Sequence, residues 1–228
     1  MRIAEVFNSI QGEGKLAGVP SAFIRTSGCN LRCVWCDTPY TSWDPEGNDL
    51  SIDPIVERVS AMPTRFAVLT GGEPMIAPGV VELTRRLRAA GFHITIETAG
   101  TIFAEAACDL ASVSPKLSNS TPWQRDGGRW AAAHEAGRIQ VDVIQQWINA
   151  GEHQLKFVVD APEDIREIDA LLDRLRGVQA ANVLLMPQGV TMAELGEKGG
   201  WIADVCRSRG FRFCPRLHIM LYGNVRGT

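Results

Sequence analysis

The sequence contains no apolar run near the roughly 18 residues needed to cross a bilayer, so no membrane span and no membrane partner are expected. Its start, MRIAEVFNSI, lacks a basic stretch followed by a long apolar one, and no signal peptide is expected. An excess of one charge is missing as well: 23 Lys and Arg stand against 26 Asp and Glu, a net of −3. That balance argues against nucleic acid as a partner, and the short cluster Arg85-Arg86-Leu87-Arg88 reads as a solvated helix face. Long charge runs and low-complexity tracts are absent, which argues against a disordered tail. Cysteines are too few for a secreted disulfide framework, six in 228 residues, and they are unevenly placed. What remains is an ordinary globular balance, 45% hydrophobic and 21% charged. One domain over residues 1–228 in the cytoplasm is the simplest expectation.

Strand-like segments alternate with helix-like ones. Residues 21–25, 66–70, 93–97, 110–114, 155–159, 183–186 and 211–213 are short, apolar and often β-branched, like strands buried on both faces. Between them, helices are expected over 53–62, 79–90, 141–150, 162–176 and 192–209. Gly91, Gly151, Gly177 and Gly210 follow four of these, where glycine commonly ends a helix. Such alternation points to a mainly parallel α/β sheet with crossover helices, open and doubly wound or rolled into a whole or partial barrel. Either form collects ligands at the C-terminal ends of its strands. Residues 117–134 break the rhythm with Ser, Asn, Pro, Trp and a Gly-Gly pair. So long a structureless loop is uncommon unless it has a function, here covering substrate or contacting another copy; the plain alternative is an ordered surface loop.

Three cysteines crowd into Gly28-Cys29-Asn30-Leu31-Arg32-Cys33-Val34-Trp35-Cys36-Asp37-Thr38, the spacing C-x3-C-x2-C. Four thiolates would close a zinc or iron–sulfur site, whereas three leave one position open to a ligand. An iron–sulfur cube held by three cysteines has one iron free to bind the amino and carboxylate groups of S-adenosylmethionine (SAM). One electron then breaks a carbon–sulfur bond and leaves a deoxyadenosyl radical, chemistry that the protein hosts and the cofactor performs. Trp35 can flank an adenine or pack in the core. The scattered Cys108, Cys206 and Cys214 read as small buried hydrophobes. Thr70-Gly71-Gly72-Glu73-Pro74 directly follows the strand at 66–70, and two glycines there let backbone approach a ligand.

This cysteine loop, with an aromatic before its third Cys, resembles the radical SAM superfamily, and the strand-end Gly-Gly-Glu-Pro strengthens the resemblance. It implies a [4Fe-4S] cluster on Cys29, Cys33 and Cys36. It also implies SAM contacts at Trp35, Asp37, Gly71, Gly72, Glu73, Glu97, Ser114 and Lys116, with Lys116 near the SAM carboxylate and Glu97 near its ribose. Further motifs are Phe7-Asn8-Ser9-Ile10-Gln11-Gly12-Glu13-Gly14, Arg25, Asp37-Thr38 and Pro215-Arg216-Leu217-His218. Together they resemble the 7-carboxy-7-deazaguanine synthases of queuosine and 7-deazapurine biosynthesis, over essentially the whole chain. That resemblance implies a single-domain partial TIM-like barrel, a homodimer, Mg2+ at Thr38, and an electron donor such as a flavodoxin. The implied reaction is a lyase ring contraction of 6-carboxy-5,6,7,8-tetrahydropterin with loss of ammonia. The implied substrate contacts are Ile10, Gln11, Gly12, Glu13, Arg25, Thr70 and His218; no side chain is expected to act as nucleophile or base.

The residue chemistry suits such a substrate. An amide such as Gln11 both donates and accepts, as a pterin edge requires. Glu13 can take two N–H groups, and Arg25 can clamp a carboxylate bidentately. Thr38 offers magnesium a hard oxygen beside waters and substrate groups. Two departures stand out: the sequence reads Met186-Pro187-Gln188 where some relatives have Gln before the Pro, and the tail runs on to Thr228. The rival readings are a glycyl-radical-enzyme activase of the same superfamily and a zinc-stabilised binding module.

Overall fold

The chain opens with a strand that its periodicity does not announce. In the computed structural model, which describes residues 1–228, β1 (Arg2–Ile10) buries only Ile3 and Val6 and leaves most other positions half-buried, because it lies near one margin of the sheet. β2 (Pro20–Thr26) runs antiparallel to it, and the two-residue β3 (Asn48–Asp49) pairs with its outer side. From β2 onward every pairing is parallel: β4 (Phe66–Gly71), β5 (His93–Thr98), β6 (Leu110–Val113), β7 (His153–Val159), β8 (Val183–Pro187) and β9 (Arg212–Phe213). The order is β3-β1-β2-β4-β5-β6-β7-β8-β9, so β3 and β9 remain edges and the barrel is incomplete. Both end strands are only two residues long, and β3 pairs with Arg2 and Ile3 alone, leaving the rest of β1 without a strand on its outer side.

Seven helices lie between these strands, α1 (Pro39–Ser42), α2 (Ile52–Ser60), α3 (Val80–Ala89), α4 (Ala131–Gly137), α5 (Val141–Ala150), α6 (Asp164–Leu172) and α7 (Met192–Arg209), and α8 (Leu217–Tyr222) follows β9. α7 starts on a reciprocal cap between Thr191 and Glu194 and stops at Gly210, whose φ of 69° is left-handed. α6 is shorter than the expected 162–176, because its end tightens into i→i+3 bonds from Arg174 N to Leu171 O and Leu175 N to Leu172 O. The arginines around Leu87 face outward, Arg85 pairing with Glu82, Arg86 with Asp53 and Arg88 with Asp109.

The period-2 alternation of the strands separates two environments. Ala67 and Leu69, Ile94 and Ile96, Ala111 and Val113, Leu155, Phe157 and Val159, and Val183 and Leu185 join one buried apolar core with the helices. Burying each larger side chain contributes ~1.5–3 kcal/mol. The intervening residues include Thr70, Glu97, Ser112 and Lys156, and these line a cavity. Buried strands thus need not be apolar on both faces, since one face here is polar and turned to ligand space.

Candidate functional site

A cavity of about 320 Å³ gathers the motifs scattered along the sequence. The C-terminal ends of β2, β4, β5, β6 and β8 supply Arg25, Thr70 to Gly72, Glu97 to Ala99, Ser114, and Met186 to Gly189. A second wall has a different origin. Because β1 is antiparallel, Ile10 lies beside Pro20, at the start of β2. The following loop crosses to β7, where Lys15 N donates to Gln154 Oε1 at 2.8 Å. Ile10, Gln11, Gly12 and Glu13 thereby reach the cavity.

Cys29, Cys33 and Cys36 are free thiols lining this space. Leu31 N donates to Cys29 Sγ at 3.3 Å, and Ser42 Oγ lies 3.2 Å from Cys36 Sγ. Burial pushes the thiols of Cys29 and Cys33 up to about 11 and about 12. Thiols so placed are inert until a metal displaces their protons. No three His, Cys, Asp or Glu side chains converge as ligands for a single ion. A cube presents its irons at separate corners, so three thiolates can hold it without meeting at one point.

The glycines of the Gly-Gly-Glu-Pro segment are needed chiefly by the chain itself. A Cβ on Gly71 would fall 2.2 Å from Thr26 O, and one on Gly72 would fall 2.1 Å from Gly28 O. The end of β4 passes this close to the cysteine loop, and Glu73 N donates to Gly28 O at 3.0 Å. Glu73 is fully buried and does not line the cavity. Its carboxylate accepts from Met75 N at 3.1 Å and from Thr98 Oγ1 and Ala99 N at 2.8 Å each, tying β4 to β5. The other expected site residues, Asp37, Thr38, Trp35, Lys116 and His218 among them, all line the cavity.

Charges organise the far side. Glu13 pairs with Lys156 and, at 3.0 Å, with Arg216, whose guanidinium also pairs with Asp37. Burial opposes ionising Glu13, but Lys156 and Arg216 outweigh it and hold the carboxyl far below its usual range. Asp37 is partly exposed; desolvation opposes its charge, and Arg216 prevails and lowers its pKa. Glu97 accepts from Gln11 Nε2 at 3.1 Å and Thr70 Oγ1 at 3.2 Å, which groups it with Gln11 and Glu13. His218 packs against Gly12, where a Cβ would fall 1.9 Å from Nδ1, and burial lowers its pKa. Arg25 pairs with Glu5 through Nε, 3.2 Å from Glu5 Oε1, and lines the cavity.

Sequence reasoning missed Lys156. Its signal was a lone charge inside the apolar run Leu155-Lys156-Phe157, which must find a partner if buried. The tail from Asn224 to Thr228 also borders the cavity, held where Arg226 stacks 4.0 Å over Tyr40 and pairs with Glu46 at 2.9 Å. Gln188 lines the cavity too, with its side-chain oxygen 3.1 Å from Lys198 Nζ. Residues 117–134 are less irregular than expected, since they contain two short 3₁₀ turns and run into α4.

Residues 23–119 match the radical SAM superfamily model. Over 227 residues the chain is 48% identical to the 7-carboxy-7-deazaguanine synthase of Rhodopirellula baltica, covering 99% of this chain and 88% of that one. The chain belongs to the 7-carboxy-7-deazaguanine synthase family. The family's protein from Halobacterium salinarum is 45% identical over 236 residues, covering 99% and 92% of the two chains. The crystal structure of QueE from Escherichia coli superposes with a TM-score of 0.69 at 26% identity, covering 95% and 94%. As a radical SAM member of this family, the chain uses a [4Fe-4S] cluster, SAM and Mg2+. The donor set fits them: three free thiols on one cavity, a lysine and polar strand ends beside it, and the Thr38 hydroxyl. No helix is long and apolar enough to cross a membrane.

Proposed function

We propose that this chain contracts the ring of 6-carboxy-5,6,7,8-tetrahydropterin to 7-carboxy-7-deazaguanine with loss of ammonia, in 7-deazapurine biosynthesis. The observation that carries this is Arg25, whose Nε faces Glu5 at 3.2 Å while its terminal guanidinium nitrogens make no hydrogen bond within the chain, on the same cavity as three free thiols. A carboxylate on the substrate satisfies that guanidinium. Held by Cys29, Cys33 and Cys36, the cluster with SAM would supply the radical chemistry needed to remove a hydrogen atom from the carbon bearing the carboxylate.

The chain's own residues bind and orient. Arg25 fixes the carboxylate, and Gln11, Glu13 and the backbone of Ile10 and Gly12 read the pterin edge. Lys156 and Arg216 keep Glu13 ionised, so it accepts N–H groups and cannot donate. Thr70 and Glu97 border the same edge through their mutual hydrogen bond, and His218 closes it beside Gly12. Thr38 would offer magnesium a hydroxyl oxygen on the cavity wall. Cys29, Cys33 and Cys36 hold the cluster, while Trp35, Asp37, Gly71, Gly72, Ser114 and Lys116 serve SAM. Glu73 serves it indirectly, by bracing the strand ends. Exposed Met220, Leu221 and Tyr222 on α8, with Val225 beyond it, support a homodimer. The electron donor is a small redox protein such as a flavodoxin.

The test is anaerobic reconstitution followed by incubation with SAM, a reductant and carboxytetrahydropterin. The deazaguanine product is expected by mass spectrometry. SAM cleavage without that product would reject the pterin reading and return the activase one; a colourless, zinc-loaded protein would reject both.

A further inference from the structure

The cysteine loop from Cys29 to Cys36 has no regular secondary structure, so its shape depends on what its backbone meets. Two of its amides are held by one small group of buried residues. Arg32 N donates to His134 Nδ1 at 3.1 Å, and Val34 N donates to Ser120 O at 2.8 Å. These amides flank Cys33 on either side.

The side chains behind them form a chain with a single possible polarity. A backbone amide only donates, so His134 Nδ1 must be the bare, accepting nitrogen. Its hydrogen is therefore on Nε2, which lies 2.9 Å from Ser120 Oγ and donates to it. Ser120 Oγ in turn donates to Leu117 O at 2.6 Å. Every group has one role and all are satisfied, although His134, Ser120 and Leu117 are buried. Burial keeps the ring neutral, with its pKa pushed down to about 4. The segment contributes further: Trp35 Nε1 donates to Asn119 O at 3.0 Å, and Gly137 on α4 lies where a Cβ would meet Leu31 at 3.3 Å.

We infer that His134 is a positioning residue for the iron–sulfur site, a neutral ring that fixes the Arg32 amide and so the setting of Cys33 within the loop. Residues 117–134 thus act as a buttress of the cluster loop. This rests on the assignment of Cys29, Cys33 and Cys36 to the cluster. A core histidine without this role would be replaceable by any apolar side chain that fills its space.

The test compares His134→Leu, His134→Asn and Ser120→Ala with the unaltered protein. Asn can present an accepting oxygen close to where Nδ1 lies, whereas Leu cannot. The first readout is peptide-resolved amide exchange in the apoprotein, which needs no cluster. His134→Leu is expected to speed exchange over residues 31–35 by about tenfold, with the exchange of β4 to β8 unchanged. His134→Asn should recover most of that protection, and Ser120→Ala, which removes only the Oγ that Nε2 bonds, should lie between. The second readout is the reconstituted protein: His134→Leu should release iron to a chelator several-fold faster, with an altered electron-spin spectrum on adding SAM. Unchanged exchange at 31–35 in His134→Leu overturns the proposal. So does exchange raised throughout the sheet in both histidine variants, which would mark an ordinary core residue. If the unaltered protein binds no iron, or keeps it after Cys33→Ser, the cluster assignment fails instead.

Discussion

At the scale of single residues the site is a set of charges and thiols kept from water by one another. Lys156 is the clearest case, buried in β7 and paired with Glu13 and, at 3.9 Å, with Glu97. Burial opposes its charge, and the two carboxylates outweigh that and raise its pKa. Lys156→Met should destabilise the protein by about 3 kcal/mol, because it strands a buried carboxylate that Arg216 only partly compensates. It should also raise KM for the pterin more than it lowers kcat, as read by urea unfolding and steady-state kinetics. An unchanged KM would remove Glu13 from the substrate wall. Thr38 is a milder case, a half-buried hydroxyl 3.3 Å from Thr41 Oγ1. Thr38→Ala should raise the magnesium concentration needed for turnover and leave iron content intact. A fall in iron would make Thr38 a structural support of the loop.

At the scale of elements, what matters is how closely the end of β4 passes the cysteine loop. The Cβ of Gly72→Ala would fall 2.1 Å from Gly28 O and 2.7 Å from Thr41 O, both backbone atoms that cannot rotate away. The variant should lose about 1–3 kcal/mol and should bind less iron per chain, since Gly28 adjoins Cys29. Gly91→Ala is the control: its φ of 81° is strained for alanine, but nothing lies within 4 Å, so iron binding should be untouched. Equal iron loss in both would show the effect to be general destabilisation. The five longer helices and all seven expected strands were legible because apolar spacing and terminal glycines are local signals. β1 was not, because a half-exposed strand beside a sheet margin carries mixed residues. α4 was hidden because its four-residue start, Ala131 to His134, sits at the end of an irregular run.

For the whole molecule, pH acts through the buried charges. Glu13 is held far below its ordinary 4.5, and Lys156 is held above its ordinary 10.5. A depressed carboxyl stabilises the fold above its unfolded value and loses that contribution as pH falls toward the folded one. A raised lysine stabilises below its unfolded value and loses that contribution as pH rises through the folded one. Both contributions are therefore complete between 4.5 and 10.5. Unfolding free energy should fall as pH drops below 4.5, and Glu13→Gln should show a shallower fall there. Denaturant unfolding across that window checks it; identical slopes would mean that other carboxylates carry the acid sensitivity.

The sequence by itself determined whatever depends on neighbours in the chain. C-x3-C-x2-C places three thiols within eight residues, the β–α rhythm dictates a parallel sheet, and a Gly pair after a strand marks a close approach. Only the tertiary structure decided which distant charges meet. Lys156 finds Glu13 across 143 residues and Arg216 finds it across 203, because the loop after β1 crosses from one strand to another five places along the sheet. No local pattern encodes such a pairing; it arises when an open sheet brings its polar face around one cavity. The same holds for His134, whose role depends on a loop 102 residues earlier that has no regular structure of its own.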